Sequence, residues 1–265
     1  MEFEKIYYFK KILSLLKQIS RENTFIYSDD ILKGVHFATL NTERTIILDV
    51  FLSPEEKTEK ITSSKKERPK IQKFSFKTGK LFYDIIDTLE KGSIVELDFE
   101  SKDLNINISY DDIRLESNLN ATLDNFIGFP PSNKNTEFIL YGEKMAHALN
   151  LLSKFRNDLE VTLEDDNLTI NSISKLGNTK LTLPGNKSRK KSKNELKKSV
   201  YDYEIIKPLL SASKLSEKVK VIFQYNDNIK DNVLIVETSL KDYDGKTKYL
   251  FTPKGVSDGT SKFFE

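Results

Sequence analysis

The sequence contains an internal repeat without gaps, and this repeat constrains the fold more strongly than any other feature. When the chain is shifted by 64 positions, residues 80–108 lie over residues 144–172. Apolar positions coincide in the two copies, as where Leu97 lies over Val161. Each copy has the pattern of an amphipathic helix followed by two strands that an acidic turn joins. Because a supersecondary unit that recurs along a chain produces a pseudo-symmetric molecule, the repeat predicts the architecture before any single residue does.

Two looser copies of the same unit occupy residues 6–40 and 203–240. Four copies, two in each half of the chain, predict an α+β fold of two similar domains. In each domain, antiparallel strands would bury one face under two helices. The pattern divides the chain into an N-terminal domain, a connector, a C-terminal domain and a flexible tail at 1–117, 118–134, 135–254 and 255–265.

Apolar spacing of three and four residues places the helices, and strict alternation places the strands. The predicted helices are 6–21, 78–91, 142–155 and 204–216. The predicted strands of the first half are 24–28, 34–40, 45–52, 71–76, 93–99, 104–108 and 111–117. Gly92 has the position of a glycine that ends the second helix. The connector keeps apolar residues among its prolines, so we expect it to lie against a surface.

Charge and cysteine content exclude several classes of protein. Lys and Arg number 42 against 40 Asp and Glu, so the net charge of +2 makes no case for nucleic acid. Any such case depends on how the charges are distributed. The absence of cysteine excludes disulfides, thiolate zinc sites and a cysteine nucleophile. The N-terminus is charged throughout and no apolar run is long enough to span a bilayer, so we expect an intracellular protein, in the nucleus, cytoplasm or nucleoid according to its host.

Residues that catalysis or metal binding requires are scarce. The chain has two histidines, His36 and His147, and neither a glycine-rich phosphate loop nor a carboxylate pair at metal-binding spacing. Aspartate pairs at 29–30 and 165–166 fall in repeated hairpin turns, where Asp serves turn geometry. We therefore expect no enzymatic activity, no metal and no cofactor.

Positions opposite the apolar stripe are mainly basic on three of the four predicted helices. They are Lys10, Lys11, Lys17 and Arg21 for the first, Lys144, His147, Lys154 and Arg156 for the third, and Lys207, Lys214 and Lys218 for the fourth. The second helix is mixed: Lys80, Asp84, Asp87 and Lys91. Lysines along a face suit contact with phosphates, which is independent of base sequence and sensitive to salt. A solvated helix face is the alternative.

Five short segments have the order and spacing of a known family: 9–19 (FKKILSLLKQI), 34–52, 126–130 (FIGFP), 176–181 and 248–254 (KYLFTPK). Together they resemble the sliding clamps of the proliferating cell nuclear antigen (PCNA) family, over nearly the full length of the chain. The resemblance implies a pseudo-sixfold ring of three two-domain subunits, with helices around a central hole and sheets outside. Such a ring encircles double-stranded DNA and tethers DNA polymerase as a processivity factor, without catalysis of its own.

The resemblance implies that the basic helix residues face the DNA. The implied DNA-binding residues are Lys10, Lys11, Lys17, Lys80, Lys144, His147, Lys154, Lys207 and Lys214. Asp84 and Asp87 stand where relatives commonly have lysines. This departure predicts weaker DNA binding than a uniformly basic ring would have.

The resemblance also implies a pocket for client proteins between the connector and the C-terminal segment. The pocket receives a short peptide whose one-turn helix inserts an aliphatic and two aromatic side chains. The implied positions are Leu40, Arg44, Ile47, Phe126, Ile127, Phe129, Pro130, Val233, Leu250, Thr252 and Pro253. Most are apolar, as such a pocket requires. The implied partners are DNA polymerase, the clamp loader and other clients that carry such peptides.

Subunits of the family join through edge strands, which correspond here to residues 111–117 and 178–183. The implied interface residues are Ile113, Arg114, Leu115, Lys180 and Leu181. The sequence leaves open whether a trimer contains identical or different subunits. A subunit of a heteromeric or checkpoint-type clamp, and a DNA-binding scaffold that never encircles DNA, are the alternatives.

Overall fold

The structure is a computed structural model. It describes residues 2–3, 6–29, 34–53, 76–99, 103–120, 129, 135–155, 157–164, 167–174, 177–184, 186–188, 198–226, 231–241 and 244–255.

The helices and strand pairs of the four repeat copies occur in the predicted order. Of the predicted strand 71–76, only Phe76 belongs to the described residues, and it begins a strand that ends at Thr78. The helices are α1 (Ile6–Lys17), α2 (Lys80–Asp87), α3 (Gly142–Leu152), α4 (Tyr203–Ile206) and α5 (Pro208–Lys214). The strands of the first half are β1 (Glu2–Phe3), β2 (Thr24–Asp29), β3 (Gly34–Leu40), β4 (Ile46–Leu52), β5 (Phe76–Thr78), β6 (Ile94–Phe99), β7 (Asp103–Tyr110) and β8 (Ile113–Asn120). Those of the second half are β9 (Asn135–Tyr141), β10 (Asp158–Glu164), β11 (Asn167–Ser174), β12 (Gly177–Pro184), β13 (Asn186–Ser188), β14 (Lys198–Tyr201), β15 (Ser216–Asn226), β16 (Asp231–Leu240) and β17 (Gly245–Phe251).

The sequence repeat is preserved in the pairing of the strands. Leu97 on β6 lies opposite Ile106 on β7, and Val161 on β10 lies opposite Ile170 on β11. Each residue of the second pair therefore lies 64 positions after its counterpart in the first pair, which is the shift that aligns the two sequence segments. The alternating apolar residues of each hairpin face the core, since all four of these side chains are buried.

The strands form three antiparallel sheets. Two sheets of four strands have the orders β1-β6-β7-β8 and β14-β10-β11-β12, and a sheet of nine strands has the order β13-β9-β15-β16-β17-β4-β3-β2-β5. The large sheet is continuous between the halves, because β4 pairs with β17 from Leu52 opposite Gly245 to Ile46 opposite Phe251. A single sheet therefore contains strands from both halves of the chain.

The helices lie side by side on one face of the large sheet. α1 contacts α2 and α5, and α5 contacts α3, so the order across the row is α2, α1, α5, α3. Phe9 on α1 packs edge-on against Phe37 on β3, with ring centroids 5.8 Å apart. Both rings are completely buried, and such burial contributes about 1.5–3 kcal/mol for each side chain. One hydrophobic core thus includes residues of both halves.

All four predicted helices extend beyond the observed ones: the first was predicted to residue 21 and ends at Lys17, and the third was predicted to residue 155 and ends at Leu152. The other two differ for identifiable local reasons. The second ends at Asp87 rather than near Gly92, because Thr88 closes its last turn with its hydroxyl 2.6 Å from the carbonyl oxygen of Ile85. Gly92, with φ of 98°, belongs to the turn that follows. The fourth predicted helix is divided into α4 and α5 at Pro208, because proline lacks the N–H that would continue the ladder.

The predicted strand 111–117 is displaced along the chain. Asp111, with φ of 49°, and Asp112 form a turn, so β8 begins at Ile113 and continues through Asn120. β8 therefore includes residues that the sequence analysis assigned to the connector. Of the predicted connector beyond Asn120 and the predicted tail, only Phe129 and Gly255 belong to the described residues.

Candidate functional site

The helices expose basic and acidic side chains together, the acids being Asp84, Asp87, Glu143 and Glu204. Six of the nine predicted DNA-binding residues are exposed: Lys80, Lys144, His147, Lys154, Lys207 and Lys214. Lys207 forms an ion pair of 3.0 Å with Glu204, and the Lys144 ammonium lies 5.8 Å from the Tyr141 ring centroid. Lys218 was grouped with the fourth helix, but the structure places it on β15 of the large sheet.

The three remaining predicted residues lie on α1, and two of them, Lys10 and Lys17, point toward α2. The Lys10 ammonium donates hydrogen bonds to the carbonyl oxygens of Asp87, at 3.1 Å, and Leu89, at 2.8 Å. The Lys17 ammonium forms an ion pair with the carboxylate of Asp87. These contacts lie at the C-terminal end of α2, where the helix dipole favours cations. Two of the predicted DNA-facing lysines therefore hold one helix against its neighbour.

Aromatic side chains accompany the lysines of α1. The Lys11 ammonium lies 4.1 Å from the ring centroid of Tyr7, which is exposed, and the Lys17 ammonium lies 5.5 Å from that of Tyr83. Burial raises the pKa of Tyr83 to about 12, and its hydroxyl contacts that of Thr24. Tyr83 is therefore a neutral ring beside the ammonium, in a cation–π contact that adds to the ion pair with Asp87.

A row of apolar side chains crosses the opposite face of the large sheet. Five residues lie directly opposite one another on adjacent strands: Ile222, Ile235, Leu250, Ile47 and Leu40. With Val233, they form a hydrophobic cluster separate from the main core, and Phe129 packs against it. We call this set, without Phe129, the apolar row. It brings together the predicted client-binding residues Leu40, Ile47, Val233 and Leu250.

Sequence reasoning missed Ile222 and Ile235. Ile235 could have been predicted from the alternation of the strand, because residues two positions apart lie on the same face and Ile235 follows Val233 by two. Ile222 becomes identifiable only when β15 is paired with β16, since Ile222 lies opposite Ile235.

The rest of the predicted pocket is arranged around one end of the apolar row. Phe129 is half-buried, with the Lys248 ammonium 4.7 Å from its ring centroid. Arg44 is exposed in the turn between β3 and β4. Thr252 and Pro253 are buried, and the Thr252 N–H donates to the Thr45 carbonyl oxygen at 3.0 Å. The predicted residues Phe126, Ile127 and Pro130 lie outside the described residues.

Access to the apolar row is confined to its margin. Ile47, Val233 and Leu250 are at most 2% exposed. Leu40 and Phe129 are half-buried and present the accessible apolar surface. A peptide that docks here would therefore contact Leu40 and Phe129 first.

The predicted interface residues lie on edge strands. β8 and β12 each end the order of a four-stranded sheet. Ile113 and Leu115 on β8 are 68% and 41% exposed, and Arg114 beside them is also exposed. On β12, Lys180 is exposed and Leu181 packs against the main core. An exposed edge with apolar side chains is a template for pairing with another chain.

Neither histidine belongs to a metal site in the part of the chain that the structure describes, where no group of three or more His, Cys, Asp or Glu side chains could hold an ion. His36 contacts the carboxylate of Asp49 through Nδ1 at 2.9 Å and stacks on Tyr27, with ring centroids 4.7 Å apart. Within the same described ranges, every helix is too short or too polar to cross a bilayer.

Comparison with solved structures identifies the fold. The PCNA2–PCNA3 complex from Sulfolobus tokodaii matches with a TM-score of 0.67 at 14% identity, covering 96% of this chain and 98% of that one. Proliferating cellular nuclear antigen from Entamoeba histolytica matches with a TM-score of 0.66 at 13% identity, covering 96% and 97%. No family model matches the sequence, and a search of curated proteins finds no match. The chain therefore has the α+β fold of PCNA-type clamps, which confirms the fold class predicted from the sequence.

Proposed function

We propose that this chain is a subunit of a DNA sliding clamp. It would close with other subunits into a ring around duplex DNA and hold replication and repair proteins there, without catalysis of its own. The observation that carries the proposal is the likeness to two PCNA structures over 96% of the chain. A likeness of that extent includes both halves, the shared sheet and the row of helices.

The charge on the helix row supports a role in loose contact with DNA. Exposed lysines on α2, α3 and α5 neutralise phosphates as point charges and make no distinction between bases. Lys10 and Lys17 are held by α2, so fewer ammonium groups are available to phosphates than the sequence suggests. Weak, sequence-independent contacts suit a ring that slides, because tight contacts would stop it.

Ring closure is proposed to occur between β8 of one subunit and β12 of the next, which would extend one sheet into another by antiparallel pairing. We propose a trimer of identical subunits. One solved relative is a complex of PCNA2 with PCNA3, so a ring of different subunits is the alternative. Light scattering distinguishes the two, since only a homotrimer has the mass of three 30.6 kDa chains in a pure sample.

Client proteins are proposed to bind at the margin of the apolar row, beside Leu40 and Phe129. The peptide would be the kind described above, with one aliphatic and two aromatic side chains on a single helical turn. Leu40 and Phe129 are half-buried and pack against the buried cluster, so they already present apolar surface to such anchors. The protein therefore need not open the cluster before a peptide docks.

A DNA-end experiment tests encirclement without a loading enzyme. The protein is incubated with duplex DNA immobilised at one end, so that a ring can thread over the free end, and that end is then blocked with streptavidin or left open. A sliding ring survives a high-salt wash only on blocked DNA, because salt screens phosphate contacts but cannot unthread a ring. Equal loss from blocked and open DNA, or equal retention on both, would contradict encirclement.

A further inference from the structure

The outer face of the large sheet continues beyond the apolar row into a polar groove. The groove has a volume of about 560 Å³ and is lined by residues from β3, β4, β9 and β15–β17. The register divides it into two rows that run parallel to the apolar row. The inner row contains Lys220, Glu237, Lys248 and Asp49, and the outer row contains Lys218, Ser239, Lys246, Phe51 and His36.

The inner row neutralises its own charges. Lys220 pairs with Glu137 at 3.0 Å and with Glu237 at 3.7 Å, and Lys248 pairs with Glu237 at 3.3 Å. The carboxylate of Glu237 on β16 thus lies between ammonium groups from the two flanking strands.

The outer row repeats this arrangement without the carboxylate. Lys218 on β15 and Lys246 on β17 flank Ser239 on β16, at the position equivalent to Glu237 in the inner row. All three side chains are exposed. Among the described residues neither lysine forms an ion pair, although the exposed Asp244 lies at the rim of the groove. The outer row therefore has two ammonium groups around a hydroxyl and no acid between them.

We infer that this outer row binds a carboxylate of the client peptide, at the place over Ser239 where the inner row has its own Glu237. The inference rests on the proposed capture of client peptides at Leu40 and Phe129. Charge complementarity selects an acidic segment, since the two lysines of the row form no ion pair within the part of the chain that the structure describes.

The register also predicts where the acid lies in the peptide. Along each strand, the inner row lies two positions from the apolar row, and the outer row lies two positions beyond the inner row. Four residues of extended chain span about 13 Å, so the acid belongs about four residues from an anchor side chain that lies beside Phe129 over β17, the strand next to β16. An acid only two residues away would meet the inner row, whose lysines already have Glu137 and Glu237 as counterions.

The test uses synthetic labelled peptides with one aliphatic and two aromatic residues on a single helical turn. One peptide carries Glu four residues before and after this anchor, a second carries Gln at both places, and a third carries Glu two residues away. Fluorescence anisotropy measures their affinities for the full-length protein and for the variants Lys218→Ala, Lys246→Ala and Lys77→Ala. Lys77 is an exposed strand lysine outside the groove, so its variant is the matched control.

We expect the peptide with Glu at four residues to bind about threefold to tenfold more tightly than the Gln peptide, because solvent screens the attraction between a carboxylate and two exposed lysines and limits the gain in affinity to roughly that range. Lys218→Ala and Lys246→Ala should each reduce this gain, and Lys77→Ala should retain it. Equal affinities for the Glu and Gln peptides would overturn the inference while leaving client capture intact. A gain that persists in both groove variants would also overturn it, because the acid would then bind elsewhere.

Two further outcomes are decisive. If no peptide binds, client capture at Leu40 and Phe129 is wrong, and the inference fails with it. Inorganic phosphate serves as a small-anion probe of the same lysines. Saturable phosphate binding that Lys218→Ala or Lys246→Ala abolishes, without any Glu-dependent gain, would assign the row to a free anion instead of a client.

Discussion

Asp87→Asn should strengthen DNA binding, because Asp87 puts a negative charge on a face that the proposed function directs toward DNA. The Asp87 carboxylate holds the ammonium of Lys17, whose side chain is 16% exposed, and adds a negative charge to the helix row. The substitution removes that charge and releases the ammonium. Lys10 remains in place, because its acceptors are the main-chain carbonyl oxygens of Asp87 and Leu89.

The magnitude follows from the exposure of the pair. The Asp87 side chain is 54% exposed, so solvent screens the ion pair and its loss should cost about 0.5 kcal/mol of unfolding free energy. A released Lys17 that reaches a phosphate should increase duplex affinity about twofold to fivefold at low salt. Each additional phosphate contact should also steepen the dependence of log affinity on log salt by about 0.9.

Fluorescence anisotropy of a labelled duplex across a salt series measures both effects. Asp84→Asn is the matched control, since Asp84 is exposed on the same helix and the described residues offer it no ion pair. It changes the net charge equally but frees no lysine, so its gain should be smaller. Equal gains for the two variants would refute the release of Lys17, as would an undiminished Asp87→Asn gain in a Lys17→Met background.

Four further predictions test separate parts of the structure. Lys154→Glu in the turn after α3, combined with Lys214→Glu on α5, should reduce duplex affinity about tenfold at low salt, because both side chains are exposed, whereas Lys77→Glu on β5 should change it little. Phe129→Ala should weaken binding of the anchor peptide roughly tenfold, and Phe155→Ala, an exposed aromatic elsewhere, should leave it unchanged. Ile113→Lys should reduce the mass measured by light scattering to that of one chain while circular dichroism stays constant, and a persistent trimer would exclude β8 from the interface. Tyr249→Phe should raise the free energy of unfolding in urea by about 1 kcal/mol, because the Tyr249 hydroxyl is buried without a hydrogen-bond partner in the described structure. Tyr201→Phe, which removes a 2.9 Å hydrogen bond to the Asn232 carbonyl oxygen, should lower it, and a loss in both variants would contradict the reasoning.

The sequence alone determined which residues face inward and where the supersecondary units recur. The shift that aligns residues 80–108 with 144–172 also relates the cross-strand partners of β6–β7 to those of β10–β11. These features were predictable because a helix or a hairpin forms from residues close together in the chain, and the spacing of their apolar residues shows which face is buried. The ends of helices were less predictable, since they depend on single side chains such as Thr88 and Pro208.

Only the tertiary structure decided which surfaces meet. The pairing of Ile47 with Leu250 joins strands about 200 residues apart, and it completes an apolar row that neither strand contains by itself. Lys17 and Asp87 looked like separate charges in the sequence, one favouring DNA and one opposing it, until the crossing of α1 and α2 brought them into contact. Periodicity reports the side of an element that is covered, but the partner that covers it depends on long-range packing, which residues adjacent in the chain do not encode.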